Sequence, residues 1–116
     1  MSEPYTFVTD LASRLPDIPA DSIISHALYS ADDVRVVLFR FAAGQELSQH
    51  TASQPALLHI LDGRATLVLG TDTHEAGPGA WARMPANLPH SVVAHTPVTM
   101  LLVLVRCAEK GASADA

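Results

Sequence analysis

The chain has 116 residues, of which 48% are hydrophobic and 16% charged, with a formal net charge of −5. That is the length of one domain with a single core, and it is too apolar for a disordered chain. The acidic balance and the scattered seven Lys and Arg argue against nucleic acid or an anionic membrane as partner, since both need clustered basic residues.

In chain order, residues 1–21 read as an N-terminal arm, with a short helical segment over Thr9–Leu15 stopped by Pro16 and Pro19. From Ile23 the pattern turns strand-like. Ile23–Ser30 and Val34–Ala42 are predicted strands around an Ala31-Asp32-Asp33 turn. Glu46–Thr51 follows the Ala43-Gly44 break. Leu57–Leu61 and Ala65–Leu69 flank Asp62-Gly63, which reads as a hairpin turn. Gly70–Gly79 reads as a turn-rich connection. Ala80–Met84, Ser91–His95 and Val98–Arg106 are the last strands, with Thr96-Pro97 turning between the final two. Val98–Arg106 is apolar without alternation, so burial on both faces is expected. It is too short for a membrane helix. Residues 22–108 form the expected domain, and 109–116 a small-residue tail. About eight short strands with regular turn signals mean an all-β sandwich or barrel. The start MSEPYTFVTD lacks the features of a signal peptide, and the single cysteine, Cys107, suits a reducing compartment, so a cytoplasmic protein is expected.

Two spacings carry the chemistry. Gly44 is followed after five residues by His50 and, twelve residues later, by Gly63, within GQELSQHTASQPALLHILDG. Gly79 is followed after five residues by Pro85, then Asn87 and His90, within GAWARMPANLPH. Together these resemble the cupin superfamily motifs G-x5-H-x-H-x3-E-x6-G and G-x5-P-x-G-x2-H-x3-N, over roughly Gly44 to Ala94. The resemblance implies a single-domain jelly-roll β-barrel. It also implies that His50 and His90 are metal-ligand positions on neighbouring strands, facing a shared interior pocket. The departures are specific. The motif's second histidine falls at Ala52, its glutamate at Ala56, its second-motif glycine at Asn87 and its asparagine at Ala94.

Imidazole is the commonest protein ligand of Zn, Fe, Cu and Ni, and the chain has six histidines, so a site holding Zn, Fe, Mn, Ni or Cu is a candidate. A stable site needs three or four protein ligands. His59 is the best candidate for a third. However, Ala56 and His59 are three residues apart, so in an unbroken strand they face opposite ways unless a bulge near Pro55 changes the parity. His95 has the opposite parity from His90, and His74 is expected in an exposed turn. The small Ala52 and Ala56 leave room for an apolar ligand cavity, with Phe39, Phe41, Met84 and Trp81 as candidate ligand-binding walls beside Leu58 and Met100.

Two readings follow. The resemblance allows a metal-dependent enzyme of the dioxygenase, isomerase or decarboxylase type using His50, His90 and a third ligand. The lost ligands point instead to a domain that binds a small molecule, with one divalent metal or with none. A homodimer is expected, because so apolar a small chain has surface to hide.

Overall fold

The computed structural model describes residues 4–106, so Cys107 and the 109–116 tail lie outside it. Nine strands are present: β1 (Ile23–Ser30), β2 (Val34–Phe41), β3 (Glu46–His50), β4 (Ala56–Asp62), β5 (Ala65–Leu69), β6 (Asp72–Ala76), β7 (Trp81–Met84), β8 (His90–Ala94) and β9 (Val98–Val105). They form a five-stranded sheet, β1-β2-β9-β4-β7, and a four-stranded sheet, β3-β8-β5-β6. All pairings are antiparallel. Only β1–β2 and β5–β6 are consecutive partners. Every other connection passes from one sheet to the other, which makes the all-β jelly-roll barrel.

The core follows from alternation along these strands. Phe41, Leu58, Ile60, Met84, Val92, Val98 and Met100 face inward and are almost fully buried. They form one cluster, with Ala56, Ala65 and Ala94 filling the narrow gaps between larger side chains.

Four expectations are corrected. The Asp62-Gly63 turn makes no hairpin, because β4 and β5 lie in different sheets. Gly63, at φ 92°, turns the corner against Pro97 and Val98, where a Cβ would overlap the Pro97 carbonyl. Secondly, the Gly70–Gly79 connection contains β6. This strand is polar because it is a sheet edge with four exposed residues, so no apolar pattern marks it. Thirdly, the helical segment is a single 3₁₀ turn, Leu11–Arg14, capped by Asp10. Fourthly, β9 is not buried on both faces. Val98 to Met100 are buried, but Leu101 to Leu104 are half-buried: Leu101 and Val103 face the outer side of the sheet, while Leu102 and Leu104 face inward at the margin of the core cluster.

The arm crosses that outer side at one end. The guanidinium of Arg40 donates to the carbonyls of Ala12 (2.9 Å), Leu15 (3.2 Å) and Pro16 (2.8 Å). Under this clasp Leu38, outward by register, is fully buried. No helix among the described residues is long and apolar enough to cross a membrane.

Candidate functional site

The site lies where β3 meets β8. His50 and His90 are cross-strand partners, with ring centroids 4.2 Å apart and planes tilted by 59°. Local structure on both sides brings them there. On β3, Leu47 faces inward opposite Val92. Ser48 and Gln49 then oppose the single residue Ser91, a bulge that turns His50 inward instead of outward. On β8, the chain arrives from a turn whose third residue, Asn87, has φ 68°. That conformation favours Gly or Asn, so Asn87 does here what the motif glycine does elsewhere. Pro89 follows, and His90 opens the strand on its inward face, 7% exposed. His50 is exposed, so the pair runs from the barrel interior to solvent.

Both rings are held alike. His50 Nδ1 lies 2.9 Å from the Ser48 carbonyl oxygen and His90 Nδ1 lies 2.8 Å from that of Leu88. A carbonyl only accepts, so in each ring Nδ1 carries the proton and donates. In the neutral ring Nε2 is then the bare acceptor. Histidines that bind metals or ligands are oriented by this kind of backbone contact. Beside His90 on the other flank is its partner Leu69, which supplies an apolar wall.

His59 is not brought to this pair. Between Ala56 and His59 the ladders to β7 and β9 run without a register shift, so no bulge arises near Pro55. Ala56 faces the core at 2% exposure, and His59 faces outward, in register with Leu101 and Trp81. Trp81 stands 62% exposed on the same outer side. It also borders a cleft of about 310 Å³ between the edges of β6 and β7, with Leu67, Leu69, His74, Ala80 and Ala82. Phe41 and Met84 are packed into the core, and Phe39 is half-buried against it. His74 sits on β6, in register with Leu67. His95 lies outside the barrel, its Nε2 2.6 Å from the Thr66 hydroxyl, which donates to the Glu75 carboxylate at 2.8 Å.

Among the described residues no group of three or more His, Cys, Asp or Glu side chains gathers around a point. Two neutral imidazoles are half of a tetrahedral shell, one ligand short of what a catalytic metal ordinarily keeps. This donor set does not fit a tightly held resident metal.

The residues that sequence reasoning missed are Ser48, Leu88 and Leu69. Ser48 and Leu88 act through backbone carbonyls, which no residue type advertises. Their one signal is a shared position two residues before each histidine. Leu69 is found only through strand pairing.

The comparisons agree with this architecture. A conserved protein of unknown function from Streptococcus pyogenes is 29% identical, with a TM-score of 0.79, over 92% of this chain and 93% of that one. A cupin superfamily protein from Desulfitobacterium hafniense is 25% identical, with a TM-score of 0.80, over 90% and 94%. A salicylate 1,2-dioxygenase from Pseudaminobacter salicylatoxidans shares the fold at 17% identity and a TM-score of 0.67, over 82% of this chain and 29% of that one. Among curated proteins, none matches the chain. The family described as the cupin domain matches residues 37–105, more than half of the sequence and all of the barrel strands from the middle of β2 onward, and the chain belongs to that family.

Proposed function

We propose that this cupin binds a small polar molecule at the His50–His90 pair, as a binding domain rather than a metalloenzyme. One observation carries the reading. Both Nδ1 atoms are committed to backbone carbonyls, which leaves two oriented Nε2 acceptors, 4.2 Å apart ring to ring, with no third His, Cys, Asp or Glu side chain gathered beside them among the described residues. Such a pair accepts from a ligand carrying hydroxyl, phenol or protonated amine groups. Leu69 and the half-buried Leu88 offer apolar contact to the rest of the molecule. A reducing, cytoplasmic setting goes with this reading, supported by the chain's single cysteine.

The second reading, a metal-dependent enzyme, keeps one specific support: two bare Nε2 atoms also suit a borderline divalent ion such as Zn, Fe, Mn, Ni or Cu, its shell completed by substrate or water. Elemental analysis of untagged protein, with calorimetric titration of each ion, separates the two. Binding-domain behaviour is no ion retained through purification, together with thermal-shift hits among hydroxylated small molecules that vanish in His50→Ala and His90→Ala but persist in His59→Ala. One tightly held ion per chain would overturn it.

A further inference from the structure

The strands β6 and β7 end the two sheets and do not pair with each other. The barrel is open along this flank, and small side chains keep it open. Ala76, Ala80 and Ala82 wall a slot of about 310 Å³, with Leu67 and Leu69 behind them. By register Leu67, Ala76 and Ala82 share the inward face with the core residues Val92, Ala65 and Leu58. The opposite flank differs. There the end strands β1 and β3 carry Ile23 and Leu47, which pack against the core. The slot's volume lies at the lower end of the range for small-molecule sites, about 300–1,000 Å³. It suits one ring with a short side group.

The rim has a different chemistry. His74 lies on the same face of the sheet as Leu67 and borders the slot, where a neutral imidazole offers one acceptor nitrogen. Glu75 stands at the lip. The Thr66 hydroxyl approaches both its oxygens, at 3.0 and 2.8 Å, and donates to the carboxylate. That contact fixes the carboxylate without cancelling its charge. Trp81 borders the mouth and is 62% exposed. No Lys or Arg is among the residues that line the slot.

We propose that this slot is a second ligand site, built for a small aralkyl ammonium ion. The aromatic ring sits among the alanines and leucines, and the ammonium group lies at the rim between the Glu75 carboxylate and Trp81. Charge selects this occupant. An ammonium donor makes a charge-assisted hydrogen bond to a carboxylate and is attracted to an indole face. A carboxylate or phosphate would meet Glu75 and find no cationic partner. The net charge of −5 favours the approach of cations in the same sense. Leu69 stands between this slot and the histidine pair, lining the one and in register with His90 of the other. The proposal does not depend on what His50 and His90 bind.

Benzylamine, benzyl alcohol and benzoate share a ring and differ in the charge of the head group. Each is titrated into the full chain at about pH 8, where imidazole is uncharged and a primary amine is still cationic. Emission of Trp81, the sole tryptophan, reports on the slot. The imidazole NMR signals of His50 and His90 report on the pair. Benzylamine is expected to shift the Trp81 emission with a Kd on the order of 1 mM, as for a fragment of its size. Benzyl alcohol should bind about fivefold more weakly, and benzoate more weakly still. Glu75→Gln, at an exposed side chain, should bring benzylamine down to the affinity of the alcohol and leave the alcohol unchanged. Ala82→Phe fills the slot and should abolish the response to both. Glu75→Gln keeps the test decisive if the larger side chain unfolds β7. Equal affinity for the three compounds overturns the proposal, as does benzylamine binding that is unchanged in Glu75→Gln. A silent Trp81 also overturns it, including the case in which benzylamine moves only the His50 and His90 signals.

Discussion

The amide of Asn87 donates to the carbonyl of Ala52 at 2.7 Å, tying the turn that precedes His90 to the loop that follows His50. The two ring-bearing strands are therefore coupled outside their own ladder. Asn87→Gly keeps both the amide and the left-handed φ, and is expected to leave stability within about 0.5 kcal/mol. Asn87→Pro removes the donor and cannot adopt a positive φ, so it should cost about 3 kcal/mol and broaden the imidazole NMR signals of both histidines. Intact signals in the proline variant would show that this tie does not position the pair.

The two histidines should differ in what they contribute to stability. His90 is buried and donates to Leu88, so His90→Ala is expected to cost about 1–2 kcal/mol in chemical denaturation. His50 is exposed, and His50→Ala should stay within about 0.5 kcal/mol. Ligand binding is expected to fall in both. Equal destabilisation would mean that the interior-to-solvent gradient of the pair is misplaced.

Gly63→Ala is a test of the corner between the sheets. The added Cβ meets the Pro97 carbonyl and the Val98 backbone, and φ is 92°. A loss of more than about 2 kcal/mol is expected, read as a lowered melting temperature.

Along β9, neighbouring positions should respond in opposite ways. Met100 is 1% exposed and faces the core, so Met100→Asp buries an unpaired carboxylate and should cost about 4 kcal/mol. Leu101 faces outward and is half-buried, so Leu101→Asp should lower the melting temperature far less. A reversal of that order would mean a register error in β9.

Arg40→Ala removes the clasp on the arm. Three partly exposed hydrogen bonds are lost, for an expected cost of about 1–2 kcal/mol and faster proteolysis within residues 5–16. Unchanged cleavage would show that the arm is held by its apolar contacts alone.

Much of this fold was legible where burial imposes a period. In β4, Ala56, Leu58 and Ile60 alternate with half-buried residues, and the same parity argument placed His59 on the opposite face from Ala56. The spacing of His50 and His90 likewise anticipated that the two rings are neighbours on adjacent strands. Legibility failed where the deciding interaction is distant in sequence. Asp62-Gly63 has the residues of a hairpin turn, yet what sets its path is contact with Pro97 and Val98. The strand Asp72–Ala76 carries no apolar stripe, because one side of it has no neighbour. The β3 bulge is marked by neither glycine nor proline, since Ser48 and Gln49 look like ordinary strand residues.

That bulge has a consequence for how such a site changes over time. Side chains alternate strictly along a strand, so one residue more or fewer exchanges the inward set for the outward set. Deleting either Ser48 or Gln49 would straighten β3 and still leave His50 opposite His90, because one residue would then separate each histidine from the Leu47–Val92 pair. The full-length strand paired without its bulge would instead set the Gln49 amide opposite His90 and turn His50 outward. The chemistry of this pocket thus rests on where the extra residue is absorbed, and a shift of the bulge, with no substitution at either histidine, would turn a pair of acceptors into a mixed donor–acceptor site.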